Sequence, residues 1–381
     1  MKQPFAHSMM PQASHDELAR QIFATSLRMH IEDEVMAGDE LLYEKKVKPA
    51  MARANGTALQ NYKDIRKHME REPYYQMWSS LVKTGKEMLW DSVGESVERQ
   101  LPELIARSKP ARPLGSLTLD PALPVPRYHA ACDIHWMPGA YHREITKDDV
   151  YAGALYDRGS YYVVAAIMGK AGNNLPDKTH TARGAFHYLD QHHPNFRPKR
   201  ILDLGCAIGS STVPYVDKFP DAEVHGIDVG APLLRYGHAR AEAMGKCVHF
   251  SQQNAERTNF PDGYFDLVVS HAMAHETSSK AIRNLLKESH RLLAPGGLSY
   301  HTERKFFYGL GEYEAYLNDW DTFYENEPFK GTLRECDPRD LMREAGFSPS
   351  EIFFFGTNRA GGFFEPGHPQ AFGSIFGARK V

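Results

Sequence analysis

The run Ile201-Leu202-Asp203-Leu204-Gly205-Cys206-Ala207-Ile208-Gly209-Ser210 constrains the fold of this chain more than any other stretch. Residues suited to a buried strand lead into a tight turn, and a helix can start directly after it. Small residues at 205, 207 and 209 let a ligand lie against the backbone, while the first N–H groups of the helix lack partners within it. In an open α/β sheet such a loop stands at the carboxyl end of a strand, where ligands bind.

The surrounding pattern agrees with that placement. After Pro198, strand and helix signals alternate, with strand candidates at 200–204, 223–227, 247–250, 265–270, 297–301, 351–355 and 373–379. Helix 279–293 carries an apolar stripe of Ile282, Leu285, Leu286, Leu292 and Leu293. Turns at Pro261-Asp262-Gly263 and Pro295-Gly296-Gly297 mark strand starts. These signals predict an α/β class fold: a seven-stranded, mostly parallel sheet over 196–381 with helices on both faces.

Residues 1–108 read as an all-helical N-terminal domain, suited to dimerisation or to covering a pocket. Ser14 and Glu17 form a capping box, and Leu18, Ile22 and Phe23 fall on one face of the helix that follows. A second helix starts near Gly38 and Asp39 and is kinked or ended by Pro49; a third spans 58–69 and a fourth runs from Pro73 to about 101. Five prolines between 110 and 126 make 109–127 an extended linker. Residues 128–195 form a segment rich in His, Trp and Tyr, with helical stretches at 155–168 and 178–191.

Composition narrows the function classes. A formal charge of −3 offers no general attraction to nucleic acid or anionic lipid. Four scattered cysteines without CxxC spacing fit reduced thiols in a cytoplasmic protein. No run of apolar residues is long enough for a membrane span.

Asp228 ends the strand after the glycine loop, twenty-three residues beyond Gly205, where a carboxylate can accept hydrogen bonds from ribose hydroxyls. A dinucleotide loop would need G-x-G-x-x-G, and Ala207 and Ser210 break that pattern. Asp203-x-Gly205-x-Ala207-x-Gly209 instead resembles the first motif of the class I, Rossmann-like S-adenosylmethionine-dependent methyltransferases. Asn254-Ala255-Glu256, Phe260 to Asp266, and Leu292 to Gly297 resemble later segments of the same family, so the likeness covers about half the chain. It implies S-adenosyl-L-methionine as cofactor and S-adenosyl-L-homocysteine as product. Asp203 would hold the methionine ammonium, Gly205 and Gly209 give it room, and Asp228 fix the ribose. Asn254 and Ala255 would meet the adenine, Ser270 would lie near the methionine, and Cys206, Ala207 and Val229 complete the cofactor set. Ala207 departs from the family's commonest glycine, and Asn254 stands where an aspartate is frequent.

Methyl transfer needs alignment, exclusion of water and, for a tightly held proton, a general base. His271, at the end of the fourth predicted strand, is the expected base or orienting group. His135, Trp136, Tyr141, His142 and Tyr161, with His275 and Glu303, are the expected acceptor-binding residues. No carboxylate stands at facial-triad spacing from these histidines, so no metal is expected. The sequences typical of DNA amino-group and cytosine C5 methylation are missing. The expected acceptor is therefore a small molecule, methylated on a hydroxyl, with nitrogen or sulfur as alternatives. An NAD(P)-dependent oxidoreductase and an inactive cofactor-binding scaffold remain as readings from other classes.

Overall fold

The computed structural model describes residues 7–55, 61–163, 180–358 and 362–381. Among the described residues nine strands form one sheet: β1 (Ser116–Thr118), β2 (Arg200–Leu204), β3 (Glu223–Asp228), β4 (His249–Gln252), β5 (Phe265–His271), β6 (Leu293–Arg304), β7 (Ile352–Thr357), β8 (Phe363–Phe364) and β9 (Gly373–Arg379). Their order is β1-β4-β3-β2-β5-β6-β9-β7-β8. Strands β1 to β6 are mutually parallel, β9 runs antiparallel between β6 and β7, and β8 pairs antiparallel with β7.

All seven expected strands form, and two short edge strands raise the count to nine. The first comes from the proline-rich linker, where Ser116–Thr118 lies between prolines and pairs with His249–Ser251. Gly115 allows this docking, because a Cβ there would stand 2.1 Å from the Val248 carbonyl oxygen. The second is a two-residue pairing too short to leave a periodic signal.

The central strands are buried on both faces, which is why they read as continuous apolar runs. Ile201, Leu267 and Val269 face the helices His180–His192 and Ala231–Ala243, whereas Leu202, Leu204 and Val268 face Ser279–Leu292 and Pro338–Glu344. From β2 the chain winds outward through β3 and β4, then returns to start β5 on the opposite side. The carboxyl ends of β2 and β5 therefore border the crevice that opens where strand order reverses.

The N-terminal region is helical as expected, with differences in detail. Helices His15–His30, Met36–Leu42 and Lys48–Asn55 run on continuously through π-helical turns at Ile31–Val35 and Tyr43–Val47. Pro49 does not end the run, because the widened turn before it accommodates the ring and the missing N–H. The capping box at Ser14 and Glu17 forms. The expected apolar face does not pack: Leu18, Ile22 and Phe23 are 37, 43 and 60% exposed. The inward face is polar instead. Gln21 donates to the Ser92 carbonyl and Ser96 Oγ, both at 2.9 Å, and accepts from Arg158.

Two cores join this region to the sheet-bearing part. Leu89, Trp90, Val93 and Val97 of the long helix Pro73–Arg107 pack with Ile208, Leu233 and Tyr236. Farther out, Tyr43, Tyr75 and Trp78 pack with Tyr316 and Trp320 of the segment after β6. No described helix is long and apolar enough to cross a membrane.

Buried Asp157 ties the first of these junctions together: its Oδ2 accepts from Tyr236 Oη and lies against His7 Nε2, both at 2.9 Å, and pairs with Arg240 Nε at 3.3 Å. Replacing it leaves a buried guanidinium without its counter-charge. Asp157→Ala is expected to lower unfolding free energy by about 3–5 kcal/mol in urea titrations. A loss below about 1 kcal/mol would show that the junction does not depend on this carboxylate.

Candidate active site

The crevice at the ends of β2 and β5 is a cleft enclosing about 910 Å³, open solvent at its mouth included. Its floor is the loop 205–211. Gly205 has φ +67°, and a Cβ there would stand 2.4 Å from Met273 Cγ, so both conformation and space require glycine. Ala207 also lies in the left-handed region, with φ +47°. It is held there by its N–H, which donates to Asp228 Oδ2 at 3.0 Å, while Gly230 N donates to Asp228 Oδ1 at 2.8 Å. Each carboxylate oxygen keeps further acceptor capacity toward the cleft.

Asp203 lines the cleft and is buried, with Oδ2 accepting from Thr212 Oγ1 at 2.6 Å. Its Oδ1 has no hydrogen-bond partner. Burial pushes this carboxyl up to about 7, against the Thr212 hydrogen bond and with help from the Asp228 charge. An orphaned buried acceptor of this kind fits an incoming cation. Asn254 and Ala255 stand on the wall beyond Asp228, and Asn254 Oδ1 already accepts from Glu256 N at 2.9 Å.

Of the residues expected at the cofactor, Asp203, Gly205, Cys206, Ala207, Asp228, Val229, Asn254 and Ala255 line the cleft. Gly209 and Ser270 do not. Gly209 lies against Phe250, where a Cβ would come within 2.8 Å of the ring, and Ser270 is buried in the sheet with its hydroxyl 2.8 Å from His301 Nδ1. His271 reaches the cleft, but both ring nitrogens are engaged, Nε2 with Tyr215 Oη and Nδ1 with Thr302 Oγ1, each at 3.1 Å.

Among the expected acceptor residues whose side chains are described, only Tyr141 lines the cleft. Trp136 Nε1 donates to the Tyr324 carbonyl at 2.6 Å, and His142 lies behind His129 with ring centroids 5.6 Å apart. Tyr161 lies outside the residues whose side chains are described. His135, His275 and Glu303 belong to a buried ionic cluster just behind the wall. His275 Nδ1 is 2.6 Å from Glu303 Oε2, and His135 Nε2 is 3.2 Å from Glu276 Oε1. Burial pushes the His135 imidazole down, but the Glu327 and Glu276 carboxylates outweigh it and raise it to about 9.

Tyr128, His129, Tyr141 and Tyr156, with Glu276, form an aromatic wall of the same cleft. His129 is buried, stacked on Tyr141 with centroids 5.5 Å apart, and its Nε2 has no hydrogen-bond partner. The density of aromatic and histidine residues after Tyr128 pointed to this segment, but spacing could not single out the member that faces the cleft.

Comparison with known proteins bears on the same region. Residues 201–297 match the family model described as "Methyltransferase domain". A demethylmenaquinone methyltransferase of Thermus thermophilus is 39% identical over 106 residues, covering 26% of this chain and 44% of that protein. A ubiquinone/menaquinone biosynthesis C-methyltransferase of Vibrio vulnificus is 29% identical over 177 residues, covering 41% and 66%. A solved phosphoethanolamine N-methyltransferase 2 of Haemonchus contortus is 18% identical over 59% of each chain, with a TM-score of 0.42. The chain thus spans about 44 to 66% of the length of these two curated relatives. Motif, strand order, cleft and family match converge on one stretch, and residues 201–297 are the core of a class I S-adenosylmethionine-dependent methyltransferase domain.

Proposed function

We propose that the protein methylates a hydroxyl group of a small, uncharged and largely planar molecule, and that the cleft holds cofactor and acceptor side by side. The observation that carries this reading is the buried, unpartnered Nε2 of His129 on an aromatic wall of the same cleft that contains Asp203 and Asp228. When bound, S-adenosylmethionine supplies a methyl group on a sulfonium leaving group. Asp228, fixed by Ala207 and Gly230, accepts from the ribose hydroxyls, and Asp203 Oδ1 receives the ammonium. Tyr128, Tyr141 and Tyr156 align a flat acceptor and exclude water. His129 then accepts the hydroxyl proton at Nε2 as the acceptor oxygen takes the methyl group. His271, bonded at both nitrogens, orders Tyr215 and Thr302 at the end of β5.

An amine acceptor is the second reading, favoured by the charge of the cleft. Asp203, Asp228, Glu256 and Glu276 line it, and no Lys or Arg does among the described residues. Incubating metabolite extracts with methyl-labelled cofactor tests both readings. A labelled methyl ether supports the first, a labelled methylamine moves the acceptor to nitrogen, and failure to bind S-adenosylhomocysteine or to label any compound rejects methyl transfer.

Three outcomes check the residue roles. Asp228→Ala is expected to weaken S-adenosylhomocysteine binding at least tenfold by calorimetry, since it loses the ribose acceptor and unties the loop; unchanged affinity would remove Asp228 from the site. Because Asp203 pairs with an ammonium only when ionised, affinity should rise by up to tenfold per pH unit below about 7 and level off above it. In the ligand-free protein the sign reverses, and stability present below the ordinary value of 3.8 is lost as pH rises through about 7. Asp203→Asn should flatten both profiles. His129→Gln should lower kcat by about 10²–10⁴ with cofactor affinity within a few-fold. If His271→Gln causes that loss and His129→Gln does not, the base is His271.

A further inference from the structure

The ionic cluster behind the cleft has the geometry of a metal site. Its two imidazoles come from segments 140 residues apart: His135 from the loop before the methyltransferase core, and His275 from the turn after β5. Ligand-capable atoms of His135, His275 and Glu276 all lie within 4.8 Å of one another. Each imidazole is oriented by a carboxylate on its Nδ1: Glu303 at 2.6 Å for His275, and Glu327 at 3.0 Å with Glu325 at 3.3 Å for His135. A carboxylate can only accept, so Nδ1 of each ring carries a proton, and Nε2 of each ring faces the centre of the cluster. This is how metal-binding histidines are held.

What each Nε2 faces is a carboxylate oxygen, Glu276 Oε1 at 3.2 Å from His135 and Glu327 Oε2 at 3.4 Å from His275. Glu327 is 1% exposed, and its Oε2 has no hydrogen-bond partner although it points into the cluster. Each Nε2 meets its carboxylate either as an N–H donor or through a metal ion that takes the place of that proton. The separations suit one, since metal–ligand bonds of about 2.1 Å place neighbouring ligand atoms about 3.0–3.4 Å apart.

Charge counting gives the same result. Five carboxylates, Glu276, Glu303, Glu325, Glu327 and Asp321, meet three cations: Lys86 on Glu325, Lys330 on Glu327 and Asp321, and Arg334 on Asp321. Carboxylates exceed these cations by two, the charge of one divalent ion, in a partly buried region where protonated imidazoles otherwise supply the difference. His135 is held in place for this by a left-handed backbone (φ +59°), its N–H donating to the Glu325 carbonyl and its own carbonyl accepting from Trp90 Nε1. Strain of this kind concentrates at functional positions.

We propose that His135 Nε2, His275 Nε2 and Glu276 bind one divalent first-row transition-metal ion, and that Glu327 Oε2, 3.4 Å from His275 Nε2, moves in to complete its shell. Two imidazoles with carboxylates suit zinc, manganese, iron or cobalt better than magnesium or calcium. The ion would pin the loop carrying His135 to the turn after β5 and to the segment carrying Glu327. It would also fix Glu276, which lines the cleft and accepts from Tyr141 Oη at 3.1 Å. The site stands apart from the methyl-transfer reading, because S-adenosylhomocysteine affinity reports on that reading in the same preparation.

The test uses tag-free full-length protein stripped with chelator and titrated with Zn²⁺ or Co²⁺ alone. The expected result is about one equivalent bound with micromolar or tighter affinity, visible ligand-field bands for Co²⁺, and a higher Tm with Zn²⁺. Glu327→Gln and His135→Gln, which preserve much of the side-chain volume, should weaken zinc binding at least tenfold. Glu303→Gln should weaken it about 10–100-fold through the orientation of His275. Glu327→Gln should leave S-adenosylhomocysteine affinity within two-fold. Wild-type protein that neither binds zinc nor gains Tm would overturn the proposal, as would variants that bind zinc as tightly as wild type. Two protonated imidazoles would then supply the missing charge.

Discussion

Two backbone N–H groups, from Ala207 and Gly230, end on the single carboxylate of Asp228, and the binding end of the molecule depends on that convergence. The glycine loop after β2 keeps one backbone bond to β3, Cys206 N to the Ile227 carbonyl at 2.9 Å, and its left-handed Ala207 is costly without further support. Asp228 supplies the support from the next strand. It thereby couples the loop after β2 to the carboxyl end of β3. Burial that raises the Asp228 carboxyl is opposed by these same two donors. The floor of the cleft is set by backbone geometry, and the polar groups that specify a ligand stand on it already oriented.

Above that floor the protein builds from more distant parts of the chain. The aromatic wall comes from residues 128–156, between β1 and β2, and the ionic cluster behind it also draws on the insertion after β6. Electrostatics differ sharply between the two sides of this wall. The cleft side carries carboxylates without cations among its described residues, whereas the inner side mixes carboxylates with lysines, an arginine and imidazoles. Glu276 belongs to both sides.

How much was legible in the sequence followed from how local each signal is. The β2 loop and Asp228 could be read because a turn, a helix start and a strand end each leave a mark within ten residues. The central strands could be read because burial on both faces makes them apolar throughout. The first helix misled: Leu18, Ile22 and Phe23 have helical spacing, yet a hydrogen-bonded face built on Gln21 won the packed position. Pairing with Ser92, Ser96 and Arg158 satisfies Gln21 only in the folded chain, so nothing in the spacing foretold it. Among the histidines the same limit applied. His271 stands where position alone suggests a base, but packing engages both its nitrogens and leaves His129 Nε2 without a partner. His135 and His275 meet only because two segments 140 residues apart fold against each other, which no short motif can encode.

The position of β9 has a consequence for how the molecule is made. This strand comes last of the nine in chain order, yet it lies between β6 and β7, both synthesised before it. Until it arrives, β6 and β7 each present an unsatisfied edge, and neither can pair with the other in the final register. Completion of the sheet therefore waits on a late insertion across a large sequence separation, a slow kind of contact during which exposed edges favour association with other chains. Emergence from the ribosome, rather than any local propensity, sets the moment at which this half of the sheet can close.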